Sequence, residues 1–278
     1  MSGQLILVGT PLGHLGDISA RALDALRTAD VIACEDTRRT GGLLHHFGIA
    51  HGRMIVVNEH TEVDRTPELL DLVGGGATVA LVSDAGMPGI SDPGERLVKA
   101  MVHAGFTVGA VPGPAALIMA LVLSGLSARR FVYEGFLPRS GRERAERIEE
   151  IAAERRTVVL YEAPHRVART VIDLAEACGG DRRVALAREL TKMHEDVWRG
   201  TLAEALAHTG TVDPLGEYVI VIEGAPDGAP ADDDAIRAAL SECLARGLTT
   251  KSAVAEVTAR LRVPKRTVYS LALTLADR

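Results

Sequence analysis

Five short apolar runs separated by helical patterns occupy the first 112 residues, and this alternation restricts the fold more than any other feature of the chain. Leu5-Ile6-Leu7-Val8, Val31-Ile32-Ala33-Cys34, Met54-Ile55-Val56-Val57 and the runs at residues 77–82 and 107–111 read as buried strands. Amphipathic stretches at residues 19–28, 38–47, 67–73 and 95–104 lie between them, and Gly48 and Gly105 stop the second and the fourth. Alternation at this spacing predicts βαβ units and a largely parallel sheet with both faces covered. Ligands of such sheets sit beyond the carboxyl ends of the strands, and four loops fall there: residues 9–17, 35–39, 83–94 and 112–116.

The second half changes character. Strand patterns at residues 131–135, 157–161, 184–188, 196–200 and 218–223 alternate with helices at 142–154, 164–177 and 201–208. The last three strands lie close together, which predicts antiparallel pairing and a mixed sheet. Residues 224–230, made of Gly, Ala, Pro and Asp, read as a linker. Three short helical patterns follow at 233–246, 251–261 and 265–276, the last two resembling a helix-turn-helix. The expected fold class is α/β.

Composition excludes several functions. No apolar run is long and charge-free enough to cross a bilayer, and Met1-Ser2-Gly3-Gln4 carries neither a basic region nor a cleavage site, so a cytoplasmic protein without a membrane partner is expected. Cys34, Cys178 and Cys243 are far apart and form no Cys-x-x-Cys pair, which argues against zinc and for a reducing compartment. The net charge of −6 and isoelectric point near 5.9 are wrong for coating nucleic acid by bulk charge, so any RNA contact must come from local basic patches. Aromatic residues make up only 3%, and base-stacking platforms are not evident.

The loop Ser83-Asp84-Ala85-Gly86-Met87-Pro88-Gly89-Ile90-Ser91-Asp92-Pro93-Gly94 is longer than a tight turn needs. Its glycines permit close backbone approach, its prolines stiffen the path, and its aspartates accept from hydroxyl or ammonium groups. The end of the loop has a structural reading as well, with Asp92 as N-cap, Pro93 as first helical residue and Glu95 as capping-box partner. Gly9, Gly13 and Gly16 lack the spacing of a dinucleotide fingerprint and no P-loop lysine follows, which leaves an ordinary turn or a loop lining a pocket. In Glu35-Asp36-Thr37-Arg38-Arg39 the acids suit a helix start, whereas the arginines oppose the helix dipole and point to phosphate or carboxylate. Tyr161-Glu162-Ala163-Pro164-His165-Arg166 and residues 188–195 gather acid–base groups at strand ends, either to orient a substrate or as surface ion pairs. His194 and Glu195 are adjacent and point apart, which speaks against a metal. Arg139-Ser140-Gly141-Arg142 has no acidic partner beside it and can meet phosphate, as can Arg262, Lys265 and Arg266 near the C-terminus.

The set formed by residues 8–17, Glu35-Asp36-Thr37-Arg38, the 83–94 loop, Val111-Pro112-Gly113-Pro114, residues 161–166 and Arg188-Glu189-Leu190-Thr191-Lys192 resembles the tetrapyrrole methylases. Within them it is similar to the bacterial enzymes that 2′-O-methylate cytidine 1402 of 16S ribosomal RNA. The resemblance covers residues 4–224 and is weaker beyond. It implies two α/β domains, residues 1–112 and 113–224, with S-adenosylmethionine in the cleft between them, and a helical domain at 232–278. It also implies a homodimer that acts on 16S rRNA in the small ribosomal subunit without a metal. Cofactor contacts are implied at Leu12, Ser83, Asp84, Gly86, Met87, Pro112, Ala116, Leu117 and Glu162. Met87, Gly89 and Ala115 depart from the usual pattern, but backbone contacts remain available there.

Methyl transfer is an in-line displacement that needs alignment and removal of a hydroxyl proton. Lys192, Glu195 and Glu35 are the candidate base or hydroxyl-orienting groups, and Arg38, Arg142 and Arg166 the candidate RNA contacts. Two other readings stand beside this one: a methylase of the same fold acting on a tetrapyrrole or other small substrate, and a non-enzymatic nucleic-acid-binding regulator. The 35–38 and 161–166 segments and the C-terminal helices favour RNA.

Overall fold

The computed structural model describes residues 3–50, 52–211, 215–226, 233–261, 263 and 265–276. Its first sheet consists of β1 (Gln4–Val8), β2 (Val31–Cys34), β3 (Arg53–Val56), β4 (Thr78–Val82) and β5 (Thr107–Val111). The connections run through α1 (Ala20–Thr28), α2 (Thr37–His46), α3 (Glu62–Gly74) and α4 (Glu95–His103). All pairings are parallel, in the order β3-β2-β4-β1-β5. Strand β4 shows why this sheet is interior. Val79 and Leu81 pack with Leu69, Leu97 and Met101 on one face, while Ala80 and Val82 pack with Leu26 and Leu44 on the other. With no polar side to present to water, such a strand needs helices on both faces. β1 lies between β4 and β5, so the loops after these three strands emerge side by side at one sheet edge. As the glycines suggested, Gly48 and Gly105 follow α2 and α4 with φ of 61° and 78°.

Two elements differ from the sequence pattern. α3 starts at Glu62 rather than at Pro67, which lies inside the helix. Asn58 initiates it: its carbonyl accepts from Glu62 N at 2.9 Å, and its side chain accepts from Thr61 N at 3.0 Å. The unanticipated α5 (Ala116–Ser124) is apolar on every side, so it has no amphipathic period to read.

The second sheet is mixed, as expected. β6 (Phe131–Phe136), β7 (Thr157–Glu162), β8 (Arg183–Arg188), β9 (Asp196–Thr201) and β10 (Tyr218–Ile222) lie in the order β6-β7-β10-β8-β9, and only β6 and β7 are parallel. α5 covers one face, burying Leu117 and Leu121 against Val159 and Val219. α6 (Gly141–Ala153), α7 (Pro164–Cys178) and α8 (Leu202–Thr209) cover the other, where Ile151, Leu174 and Leu202 meet Leu160, Leu186 and Ile220. Under α6 and α7 sits a buried polar network. Arg144, 4% exposed, donates to Asp173 Oδ2 at 2.7 Å, to Thr170 Oγ1 at 2.9 Å and to the Pro138 carbonyl at 3.0 Å. Thr170 donates onward to Glu162 Oε2 at 2.6 Å.

Both sheets belong to one compact unit, Met1–Gly224, and the remainder, Ala225–Arg278, forms a second. In the second unit α9 (Asp233–Ala245), α10 (Thr250–Leu261) and α11 (Lys265–Ala276) bury Ile236, Leu240, Val254, Val257, Val268 and Leu271 in a core of their own. Lys251, Lys265 and Arg266 are exposed there, whereas Arg262 and Pro264 lie outside the described residues.

Candidate active site

The loops after β1, β4 and β5 hold one another through glycine. Gly9 N donates to the Val111 carbonyl at 3.0 Å, and a Cβ on Gly9 would stand 2.6 Å from Gly113 Cα. Thr10 and Gly86 exchange backbone hydrogen bonds of 2.9 and 3.1 Å, and Thr10 Oγ1 reaches the Ser83 carbonyl at 3.3 Å. Gly86 has φ 79°, a conformation that a side chain would strain. These contacts set the 83–94 loop against the first loop, and beyond it the second sheet closes a cleft of about 470 Å³. That volume is within the range of small-molecule sites, roughly 300–1,000 Å³. Leu12, Ala85, Gly86 and Met87 form one wall, and Ala115, Ala116 and Leu117 the adjacent one. Phe136, Tyr161, Glu162, Tyr218 and Val219 come from the second sheet.

Charge gathers where the cleft meets a second cavity of about 510 Å³, since Glu35, Asp84, Ser91 and Asp92 line both. Burial raises the Asp92 carboxyl to about 7, helped by repulsion from Glu35, Asp84 and Glu217. Burial also raises Glu35 and Asp84, although the Asp84 backbone N–H opposes it at Glu35 and Arg39 opposes it at Asp84. Asp84 Oδ2 lies 3.4 Å from Arg39 Nε, whereas its Oδ1 is buried and without a hydrogen-bond partner. Among the described residues three other than glycine have positive φ: Ser91 at 59° in the 83–94 loop, and Glu189 at 49° and Thr191 at 63° in the loop after β8, outside the cleft lining. Strain of this kind is held at functional sites by the surrounding structure. At Ser91 it is accompanied by a 2.6 Å hydrogen bond to the Tyr133 hydroxyl.

The structure brings Leu12, Glu35, Asp84, Gly86, Met87, Ala116, Leu117 and Glu162 together in this cleft. Ser83 and Pro112 do not line it: Ser83 is buried with its hydroxyl turned onto the Ala85 carbonyl at 3.2 Å, and Pro112 is exposed. Arg166 is corrected as an RNA contact, because its guanidinium is spent on Glu162 Oε1 at 3.1 Å and the Leu137 carbonyl at 2.6 Å. Arg38 is exposed and paired with Asp36 at 2.9 Å, and it is its neighbour Arg39 that lines the cleft. Arg142 is exposed at the start of α6 and, contrary to expectation, has an acidic partner one turn away, Glu146.

Lys192 is held as an ammonium, the form that can orient a hydroxyl but not take its proton. Burial would lower its ammonium, but Glu189 at 2.8 Å and Glu217 at 3.0 Å outweigh that and raise it, so it stays charged. Glu195 accepts from the Thr191 backbone and lies outside the cleft. Asp92 is a further correction, since it caps nothing. The N-cap of α4 is Gly94, and the buried Glu62 carboxylate takes the backbone N–H groups of Gly94 and Leu97, each at 3.0 Å. Sequence reasoning also missed Phe136, Glu217 and Tyr218; Phe136 signalled itself only as an aromatic at a strand end in an aromatic-poor chain.

Comparison with known proteins agrees with this architecture. Residues 4–206 match the family model of Tetrapyrrole (Corrin/Porphyrin) Methylases. The chain is 46% identical over 275 residues to Ribosomal RNA small subunit methyltransferase I of Synechocystis sp., covering 98% of each chain. It is 47% identical over 260 residues to the protein of that name from Mycobacterium tuberculosis, covering 93% of this chain and 90% of that one. Among solved structures, uroporphyrin-III C-methyl transferase from Thermus thermophilus complexed with S-adenyl homocysteine aligns with a TM-score of 0.56 at 19% identity, over 80% of this chain and 97% of that one. At that identity the likeness speaks for the fold alone. Identity near one half over nearly the whole length of the sequence relatives goes further: the chain belongs to the ribosomal RNA small subunit methyltransferase I family of the tetrapyrrole methylases.

Proposed function

We propose that this methyltransferase uses S-adenosylmethionine to methylate the ribose 2′ hydroxyl of a cytidine, position 1402, in the 16S rRNA of the small ribosomal subunit. The observation that carries the cofactor is Asp84 Oδ1, a buried acceptor with no protein donor, beside the apolar wall that Leu12, Ala85, Gly86, Met87, Ala116 and Leu117 give the cleft. A buried acceptor is costly unless a ligand donor meets it. An adenosine, an ammonium and a sulfonium suit this lining: the ammonium or a ribose hydroxyl meets Asp84, and apolar surface packs on Leu12, Met87 and Leu117. When bound, the cofactor supplies a methyl group on a sulfonium, an excellent leaving group.

The chain's own residues align and desolvate. Gly9 lets the first loop close on Gly113, Gly86 lets the 83–94 loop close on Leu12 at the cleft wall, and Tyr161 fixes that wall by accepting from Leu117 N at 3.2 Å. RNA contact falls to exposed cations, Arg38 and Arg142 in the first unit and Lys251, Lys265 and Arg266 in the second. The test is transfer of labelled methyl to small subunits lacking the modification, followed by nuclease digestion. Label in 2′-O-methylcytidine is the expected result; label on a base, or none, overturns the reading. The same assay on a chain ending at Glu223 should show a higher apparent KM and an unchanged cofactor Kd, because the cleft is built within Met1–Gly224.

The homodimer is part of the same proposal. α5 buries Leu117, Ala120 and Leu121 but leaves Ile118 45% and Val122 68% exposed, with Leu123 beside them. A helix apolar all round is stable only with both faces covered, and a second copy of this chain supplies the other cover. Val122→Glu should convert a dimer into a monomer in light scattering and lower cofactor affinity, since the start of α5 walls the cleft. A dimer that persists in this variant places the interface elsewhere.

A further inference from the structure

Methylating a hydroxyl requires an acceptor for its proton, and several titratable groups stand in or beside the cleft. Most are already engaged. Glu35 accepts from Asp84 N at 3.3 Å, and Glu217 is paired with Lys192 at 3.0 Å. Asp84 is directed at Arg39 and, on the reading above, at the cofactor. The Tyr161 hydroxyl accepts from Leu117 N, and burial moves it up and out of reach of any base role. The Tyr133 hydroxyl is bonded to Ser91. Among the described residues Asp92 alone of the cleft's carboxylates has neither a hydrogen bond nor an ion pair.

Its position is as telling as its freedom. Asp92 lines both the 470 Å³ cleft and the 510 Å³ cavity beside it, so it stands where a cofactor in one would meet a substrate in the other. The capping task that the sequence suggested for it is done by Glu62, whose carboxylate takes the Gly94 and Leu97 N–H groups. Ser91, beside it, is held at positive φ and tied to Tyr133, and the Gly89 N–H to Pro93 carbonyl bond of 3.1 Å closes the loop around both. The backbone that carries Asp92 is thus held in place while its carboxylate oxygens stay open.

Resting on the function proposed above, we infer that Asp92 is the group that accepts the proton of the ribose hydroxyl during methyl transfer. The 2′ oxygen forms its bond to the methyl carbon, the carbon–sulfur bond breaks with its electron pair left on sulfur, and the hydroxyl proton passes to an Asp92 oxygen and then to water. The surroundings suit the task. Burial, and after it the negative charge of Glu35 from the end of β2, Asp84 from the end of β4 and Glu217 from the approach to β10, holds Asp92 at about 7. Tyr133 and Tyr161 face it from the second sheet as neutral phenols. Arg39 is directed at Asp84, and Asp36, Glu59, His60, Glu62, Glu95 and Arg96 line the second cavity with Asp92. A base with that value is ionised over the upper half of the physiological range and binds a proton strongly enough to help.

The sign of the pH dependence follows. The working form is ionised, so kcat/KM should rise tenfold per pH unit below about 7 and level off above it. Asp92→Asn should lower kcat by roughly 10²- to 10⁴-fold, the usual contribution of a general base. It should remove the rising limb and leave S-adenosylhomocysteine affinity and small-subunit affinity within about threefold in calorimetry and filter binding. Carbon-13 NMR of the aspartate carboxyls in the wild-type protein should show one group titrating near 7 that Asp92→Asn deletes. Near-wild-type kcat in Asp92→Asn, or a wild-type profile flat from pH 5.5 to 8, overturns the inference. So does loss of S-adenosylhomocysteine binding in a folded Asp92→Asn protein, which would make Asp92 a cofactor contact. If the wild-type enzyme fails to methylate small subunits at all, it is the function that is wrong, and the carboxyl titration still reads Asp92 directly.

Discussion

Gly86→Val is expected to abolish S-adenosylmethionine binding and to leave the protein folded. Gly86 sits at φ 79°, its backbone is paired on both sides with Thr10, and a Cβ there would lie 3.1 Å from Leu12 Cδ2 and 3.5 Å from the Pro114 carbonyl. A β-branched side chain at positive φ costs about 1–3 kcal/mol, a loss that a domain of this size survives with a lower Tm. Its two methyl groups would enter the cleft between the Leu12 and Ala116 walls, where the ligand itself must lie. Calorimetry should find affinity at least ~100-fold weaker, equivalent to about 2.8 kcal/mol, and circular dichroism should find the secondary structure intact. Wild-type binding in a folded Gly86→Val protein would show that the 83–94 loop does not hold the cofactor.

The sheet that positions this loop was legible in the sequence because its physics is periodic. Residues 77–82 can only be an interior strand, and Gly48 and Gly105 mark helix ends by conformations that other residues avoid. The packing of the loops that wall the cleft was legible for the same reason, since Gly9, Gly86 and Gly113 are conspicuous where backbones must touch. Polar roles were harder, because they are decided by partners distant in the chain. Asp92 has every local attribute of an N-cap, and only the arrival of Glu62, 6% exposed and from a different helix, relieves it of that work. Lys192 looked like a base until Glu189 and Glu217 converged on it. Arg166 looked like a phosphate contact until the Glu162 carboxylate and the Leu137 carbonyl enclosed it. α5 was missed because a helix apolar on every side carries no phase.

Arg144→Met separates stability from binding in the opposite sense to Gly86→Val. Arg144 is 4% exposed and its guanidinium bridges α6 to α7, with two hydrogen bonds to Asp173, one to Thr170 and one to the Pro138 carbonyl. Methionine fills the space of the side chain, so the cost is not a cavity. It is the stranding of groups that were desolvated on the understanding of a cation. Removing one partner of a buried pair costs roughly 3–5 kcal/mol. Asp173 keeps 23% of its side chain in contact with solvent, which relieves part of that and points to the lower end, about 3 kcal/mol. For a unit of this length the change corresponds to a fall in Tm of about 6–12 °C. Cofactor affinity should change by less than about tenfold, because Glu162 keeps its bonds to Thr170 at 2.6 Å, Arg166 at 3.1 Å and Ala163 N at 2.9 Å. Differential scanning calorimetry with and without S-adenosylhomocysteine measures both quantities. An unchanged Tm would mean that the network does not stabilise the fold, and a lost ligand shift would mean that Arg144 holds the cleft through Glu162 rather than the helices through Asp173.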